Sequence, residues 1–322
     1  MTATPSSAGL AAREIGHGIH AIDTGFHRSD FDAAYLMVED GRAAFIDTGT
    51  THSLPRLLAA LSDAGLTPEQ ADWVIVTHVH LDHAGGAGAL MQALPNARLL
   101  VHPRGERHMV DPSALIAGAS AVYGADEVAR AYGTIVPIPK ERVVASHDGM
   151  TVQLAGRTLT LLDTPGHARH HHCIWDARSR GFFTGDTFGL SYREFDTARG
   201  PWLLPTTTPV QFDPVALRAS VHRLLSYTPE AMYLTHYGRV QDVAALGAML
   251  LEQIDELVAL ATPLRDAPDR HTRLREALSA TYLRRVRAHG CTLPDAQVLS
   301  LLASDIELNA QGLGVWLEGA SR

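Results

Sequence analysis

Residues 77–86 read Thr77-His78-Val79-His80-Leu81-Asp82-His83-Ala84-Gly85-Gly86, and the rest of the chain is organised around this stretch. It follows the apolar run Trp73-Val74-Ile75-Val76, which is short, rich in β-branched side chains and typical of a buried strand. Three histidines and an aspartate, all side chains that bind transition metals, lie within six residues at the end of that strand. Without a cation these groups would repel or desolvate one another, so the pattern predicts a metal site.

One turn does not complete such a site, because zinc takes about four ligands and a catalytic zinc keeps one position for water. Three later stretches each offer a metal-binding side chain after an apolar run and small turn residues. They are residues 161–167, 182–186 and 232–236, which end in His167, Asp186 and His236. In open sheets, ligands bind outside the strand ends, so these side chains are expected to converge on one site.

The ordered set of these motifs resembles the metallo-β-lactamase superfamily. The set comprises Asp47 in Ile-Asp-Thr-Gly, the His-x-His-x-Asp-His turn at 78–83, His167 after Thr-Pro-Gly, Asp186 after Thr-Gly, and His236. All five blocks occur in the family's order, and the resemblance covers roughly residues 14–240. A single histidine pair would be far less specific than this combination.

The resemblance implies two divalent metal ions per chain, with zinc favoured and iron or manganese as alternatives. The ligand set that it implies is His78, His80 and His167 for one ion, Asp82, His83 and His236 for the other, and Asp186 as the bridge. Asp47 would orient the ligand turn through hydrogen bonds, although a turn or helix-cap role beside Gly49 would also account for it. Asp82 is also expected to handle protons after the attack on the substrate.

The resemblance further implies an α/β fold, a four-layer αβ/βα sandwich with the metal site at one edge between two sheets. We expect a flexible segment at 1–13, a catalytic domain at 14–240, a helical insertion at 104–135 within it, and a C-terminal helical domain at 241–322. Within the C-terminal helical domain, the sequence predicts helices over 240–261, 270–288 and 294–303. The insertion is expected to form a substrate lid or a homodimer contact, or else to pack as extra helices on the sheet edge.

Composition favours a cytoplasmic chain with a small-molecule substrate. With 322 residues, 46% of them hydrophobic, the chain can bury a large core, and its two cysteines are too few for a disulfide framework. The polar start is unlike a secretory signal, and no apolar run approaches the roughly 18 residues of a membrane span. A net charge of −8 without a basic stripe disfavours nucleic acid as a partner.

Four further residues are candidates around the metal site. His171, four residues after His167, is expected to support the ligands. The irregular, proline-bearing stretch 188–212 carries Tyr192, a candidate donor to a developing oxyanion, and Trp202, a candidate wall of the substrate pocket. Tyr237, next to His236, is a second candidate for substrate binding. The alternative is that these aromatic side chains fold the loop onto the core.

The expected activity is hydrolysis by a metal-bridged hydroxide, which needs no protein nucleophile. An aspartate stands at 186, where one class of zinc β-lactamases has a cysteine, and this resembles the bridged sites of thioester hydrolases, lactonases and phosphodiesterases. A thioester, ester or lactone is therefore the expected substrate. The alternative is an iron-dependent oxygenase or oxidoreductase acting on a thiol or persulfide, because the same ligands accept iron.

Overall fold

The computed structural model describes residues 12–207 and 209–319. One sheet is formed by Arg13–Glu14 (β1), Ile19–Asp23 (β2), Ala33–Glu39 (β3), Arg42–Ile46 (β4), Ala71–Ile75 (β5), Arg98–Val101 (β6) and Val143–Ala145 (β7). These strands are hydrogen-bonded in sequence order. Strands β1 to β4 are antiparallel, with Asp40-Gly41 as the turn between β3 and β4, and β4 to β7 are parallel.

A second sheet is formed by Thr151–Leu154 (β8), Arg157–Asp163 (β9), His172–Asp176 (β10), Gly181–Gly185 (β11), Ala231–Leu234 (β12) and Gly238–Val240 (β13). The strands of this second sheet are also hydrogen-bonded in sequence order. Among the described strands of this sheet, only the β11–β12 pair is parallel. Helices connect the parallel strands β4 to β7 of the first sheet and β11 to β12 of the second, because parallel neighbours need a crossover connection.

The helices are Leu54–Asp63 (α1), Leu81–Ala84 (α2), Ala87–Ala93 (α3), Pro103–Val110 (α4), Ser113–Tyr123 (α5), Ala125–Tyr132 (α6), Pro214–Ser226 (α7), Val243–Ala261 (α8), Arg270–Ala288 (α9), Asp295–Leu301 (α10) and Ala303–Gly319 (α11). Pro at the first turn of α4 and α7 fits the place where a missing N–H is harmless. The sequence pattern did not predict α11, which begins at Ala303, where the last predicted helix ends, and extends to Gly319.

Successive side chains of each strand lie in apolar cores on opposite faces of its sheet, which gives the predicted four layers. On β3, Leu36 contacts the cluster that includes helices α1 and α3, whereas Tyr35 lies in the cluster between the two sheets. On β11, Phe183 faces that same inter-sheet core and Phe182 faces the opposite cluster, which contains α7 to α11. Successive side chains of a strand point to opposite faces, so each sheet separates two apolar cores. The fold class expected from the resemblance is confirmed.

The C-terminal helices share a continuous core with the second sheet. Phe182 and Met232 of that sheet belong to one cluster with Leu250 of α8, Leu278 of α9 and Leu313 of α11. Helices α8 to α11 therefore form the outer layer on this sheet and do not enclose a separate core.

The structure bears on two predicted segments, the helical insertion at 104–135 and the flexible segment at 1–13. Helices α4 to α6 occupy the predicted insertion, and Val128 and Tyr132 of α6 pack against Phe26 and against Leu81 of the ligand turn. Most of the predicted flexible segment at 1–13 lies outside the described residues, but Arg13 already pairs in β1, so the regular fold begins earlier than expected.

Within the described residues, no helix combines the length and apolar character that crossing a membrane requires.

Candidate metal centre

The candidate ligands all follow strands, at the edge where the two sheets meet. The turn at 78–83 follows β5, His167 follows β9, Asp186 follows β11 and His236 follows β12. Their ligand atoms form two groups, in each of which the atoms lie within 4.8 Å of one another. The first group is His78, His80, His167 and Asp186, and the second is Asp82, His83 and His236.

Two of the three distances in the first group match the separation expected of ligands that share one zinc ion. Nδ1 of His80 lies 2.8 Å from Nε2 of His78 and 3.3 Å from Nε2 of His167, and the latter lies 3.3 Å from Oδ2 of Asp186. Ligands about 2.0–2.1 Å from a zinc ion are separated by roughly 3.3 Å in a tetrahedron. The donor set of three imidazoles and a carboxylate is one that zinc and iron both accept.

Asp186 faces both groups with different oxygens. Its Oδ1 lies 3.3 Å from Nε2 of His83 and 3.8 Å from Nε2 of His236, whereas Oδ2 faces His167. Oδ1 and Nε2 of His83 are buried, and neither has a hydrogen-bond partner of acceptable geometry. Buried polar atoms left in this way are costly, and a cation between them would satisfy both. The residues present therefore fit the metal pair that the resemblance implies.

In the first group of ligands, the protonation states favour metal binding. Burial, with the neighbouring histidines adding to it, lowers the pKa of His78 and of His80 well below the usual value. Burial opposes ionisation of Asp186, but His83 and His167 outweigh it and hold the pKa of that carboxyl well below its usual range. Neutral imidazoles and an ionised carboxylate are the forms that bind metals.

Asp47 connects three strand ends beneath the cluster. Its carboxylate accepts hydrogen bonds from the backbone N–H of Thr77 at 2.7 Å, from the Thr77 hydroxyl and from the Thr235 hydroxyl at 2.9 Å. It also lies 2.9 Å from Nδ1 of His83. Since β4, β5 and β12 precede these residues, one buried carboxylate fixes the relative position of ligands from both sheets.

His171 supports the opposite side of the cluster. Its Nε2 accepts the backbone N–H of Asp186 at 3.2 Å, while Nδ1 lies 3.0 Å from the Thr164 hydroxyl and 3.1 Å from that of Thr187. Because Nε2 is an acceptor, Nδ1 carries the proton. His171 therefore orients the loop that presents Asp186.

Gly166 explains how the Thr-Pro-Gly-His loop delivers its histidine. The glycine has a φ of +131°, and a Cβ there would lie 2.2 Å from the backbone nitrogen of Leu217 in α7. Only glycine allows this close approach of the loop to the helix. The loop is thereby held against α7, with His167 turned toward the other ligands.

Tyr192, predicted to be an oxyanion donor, has another partner. Its hydroxyl donates to Oδ1 of Asp305 on α11 at 3.1 Å, and the side chain is buried. Its ring stacks on Phe31 at 5.2 Å, and Phe31 contacts the His236 ring edge to face. Tyr192 therefore supports His236 through Phe31, and its hydroxyl is not directed at the metal cluster.

Trp202 and Tyr237 occupy core positions in this structure. The Trp202 indole is 2% exposed and packs between Phe195 and Tyr282, because α9 covers the loop that carries it. Tyr237 is 5% exposed and belongs to the core between the sheets. Both positions match the alternative in which these aromatic side chains pack onto the core, and the substrate-binding role of both stays a prediction.

Sequence reasoning missed two neighbours of the ligands. The backbone oxygen of Phe31 accepts a hydrogen bond from Nδ1 of His236 at 2.9 Å, which leaves Nε2 for the metal. The ring of His170 lies 5.4 Å from that of His80. The run of three histidines at 170–172 was the signal for the second neighbour, and nothing in the local sequence pointed to Phe31.

A family model described as "Metallo-beta-lactamase superfamily" matches residues 30–236. The chain is 25% identical over 228 residues to the metallo-beta-lactamase fold-containing protein ST1585 from Sulfurisphaera tokodaii, covering 69% of this chain and 79% of that protein. A crystal structure of ST1585 from Sulfolobus tokodaii superposes with a TM-score of 0.63 at 21% identity, covering 92% of this chain and 98% of that one. This structural likeness shows the fold.

The relatives with named activities include a hydroxyacylglutathione hydrolase and an acyl-coenzyme A thioesterase. A hydroxyacylglutathione hydrolase from Stenotrophomonas maltophilia is 31% identical over 152 residues, which is 47% of this chain and 44% of that protein. An acyl-coenzyme A thioesterase, MBLAC2, from Gallus gallus is 29% identical over 197 residues, covering 55% of this chain and 65% of that protein. The aligned part therefore spans less than two thirds of each of these two relatives.

Proposed function

We propose, from the premise that this chain belongs to the metallo-β-lactamase superfamily, that it is a hydrolase with two metal ions and that it cleaves a thioester. The observation that carries the proposal is the position of Asp186, whose two oxygens face two different groups of imidazoles. A carboxylate in this position organises two ions at once. The named activities of the two relatives support a thioester over other acyl compounds.

When bound, such a pair of ions would activate a water at neutral pH and polarise the carbonyl oxygen that it attacks. His78, His80 and His167 would hold one ion, and Asp82, His83 and His236 the other. Asp47 and His171 fix the two loops that carry these ligands, so that no reorganisation is needed during the reaction.

Asp82 is the carboxylate through which a proton would leave the cluster. Its side chain is 25% exposed, whereas that of Asp186 is 7% exposed. Its Oδ2 lies 3.5 Å from Nε2 of His236, so one oxygen faces the ligands while the residue borders solvent. We assign Asp82, in addition to its role as a ligand, the role of accepting a proton from the attacking water and passing it to the sulfur of the leaving thiolate as the C–S bond breaks.

The test is a substrate panel on protein of defined metal content. Metal is removed by chelation and restored as zinc, iron or manganese, and each form is assayed with thioesters, lactones, phosphodiesters and β-lactams. We expect thioester hydrolysis to return with two ions per chain. Restoration at one ion per chain would contradict the two-metal site, and cleavage of β-lactams alone would contradict the substrate class. Oxygen uptake with a thiol or persulfide by the iron form would favour the oxygenase alternative.

A further inference from the structure

A cavity of about 700 Å³ lies beside the first ligand group. It is formed between helix α4 and the loop that follows His167, with Gln211 from the stretch before α7. Its lining includes Arg104, Arg107, His108, Lys140, Arg169 and His170. Pockets of this size accommodate ligands larger than a single acyl group or carboxylate.

His170 connects this cavity to the candidate metal centre. It lines the cavity, and its ring lies 5.4 Å from the ring of His80 and 6.1 Å from that of His78. A substrate whose scissile carbonyl lies at the metal centre could therefore extend past His170 into the cavity. The cavity therefore borders the first ligand group through the ring of His170.

The lining is positively charged although the chain carries a net charge of −8. Four basic side chains, Arg104, Arg107, Lys140 and Arg169, line it together with two acidic ones, Glu106 and Asp111. Glu106 is paired with Lys140, and Asp111 accepts hydrogen bonds from Ser113.

The three arginines of the lining remain available to a ligand. Among the described residues, Arg104, Arg107 and Arg169 form no ion pair with an acidic side chain, in contrast to most arginines of the C-terminal helices. Guanidinium groups match phosphate oxygens in pairs and hold them more specifically than ammonium groups do. Three of them around one cavity indicate an anionic ligand with several oxygens.

We infer that this cavity binds the phosphate groups of the thiol carrier to which the substrate's acyl group is attached. This inference rests on the proposed thioesterase function and adds the class of carrier. A phosphate-bearing carrier fits better than a carboxylate-bearing one, because the cavity combines a large volume with three guanidiniums that lack acidic partners. The carrier's flexible arm would pass His170, and its phosphates would lie against α4 and Arg169.

The first test compares three thioesters that share one acyl group. Their carriers are coenzyme A, pantetheine, which is the same thiol arm without nucleotide phosphates, and glutathione, which offers only carboxylates. We expect kcat/KM to be at least about tenfold higher for coenzyme A than for the other two. Equal values for pantetheine, or a preference for glutathione, would overturn the inference.

Single substitutions test the residues. Arg104→Ala and Arg169→Ala should each raise KM for the coenzyme A thioester by about three- to tenfold, with kcat and the pantetheine reaction nearly unchanged. Arg273→Ala is the matched control, since Arg273 is exposed on α9 and does not line the cavity. Equal effects of these substitutions on the coenzyme A and pantetheine substrates would contradict a role in carrier binding.

A binding measurement separates this inference from the proposed function. Adenosine 3′,5′-bisphosphate has the phosphates but neither a thiol nor a scissile bond, and its binding to the metal-loaded protein is measured by calorimetry. Binding that weakens in Arg169→Ala and at higher salt supports the cavity assignment even if no thioester is cleaved. Thioester cleavage without carrier preference and without binding of this probe leaves the proposed function standing and removes the inference.

Discussion

Oδ2 of Asp47 lies 2.9 Å from Nδ1 of His83, and both side chains are almost completely shielded from solvent. The contact fixes the proton of His83 on Nδ1 and leaves Nε2 facing Asp186. Because the same carboxylate also holds Thr77 and Thr235, it sets both the tautomer and the position of a ligand. Carboxylates behind metal-bound histidines commonly have this effect.

Asp47→Asn should weaken metal binding while the fold persists. Asparagine has nearly the same size, but it lacks the negative charge and one of the two acceptor oxygens that Thr77, Thr235 and His83 share. We expect the affinity for zinc to fall by about 10- to 100-fold. Competition with a chromogenic chelator measures it, with Asp72→Asn on the surface as the control; unchanged affinity would show that Asp47 is only a turn residue.

Asp186→Ala should reduce the metal content from two ions to one or none and abolish hydrolysis. Among the described residues, it removes the one side chain whose oxygens face both groups of ligands. The large cores of the two sheets do not depend on it, so the circular dichroism spectrum should be unchanged. Elemental analysis and the thioester assay decide the matter, and activity that survives in metal-replete buffer would refute the bridge.

Trp202→Ala should destabilise the protein without altering substrate choice. The indole is packed against Phe195 and Tyr282, and removing a buried aromatic ring costs about 3–5 kcal/mol of unfolding free energy. We expect kcat/KM for acyl groups of different length to keep the same ratio. Urea unfolding measures the first effect, and a changed ratio at full folding would return Trp202 to the pocket wall.

The buried pair Arg157–Asp176 should make stability depend on pH. Burial would raise the pKa of Asp176, but the Arg157 guanidinium, at 2.5 and 3.0 Å, lowers it below its usual value. A depressed carboxyl pKa stabilises the fold above the unfolded-state pKa of about 4, and this contribution is lost as pH falls through the folded value.

Asp176→Asn should therefore cost about 1.5–3 kcal/mol of unfolding free energy at pH 7, because it removes the charged acceptor of the buried Arg157 guanidinium and leaves Glu39, at 3.5 Å, as its remaining carboxylate. The difference from the parent protein should shrink as pH is lowered from about 5. Urea unfolding of both proteins across this range measures it. A difference that stays constant with pH would show that packing, and not charge, holds this pair.

The local sequence was sufficient to identify the candidate ligands of the turn at 78–83, because these residues lie close together in the chain. Three histidines and an aspartate within residues 78–83 show their metal-binding character without any tertiary information, and the strand-end rule led from them to His167, Asp186 and His236. The fold class followed from the same motifs. Helices α8 to α10 were predictable from apolar spacing, but that pattern could not show that they cover the second sheet and share its core.

Side-chain direction in the loops was decided by partners far away in the chain. Tyr192 looked like a free hydroxyl beside the site, yet its acceptor, Asp305, comes 113 residues later, on a helix that the pattern missed. Arg104 and Arg169 are unremarkable singly, and only the packing of α4 beside the His167 loop places them around one cavity. The sequence by itself indicated the candidate metal ligands, because four of them share the turn at 78–83 and the other three each follow a predicted strand. Tertiary structure alone decided which aromatic side chains are buried and where positive charge collects, because both depend on contacts between segments that no local pattern relates.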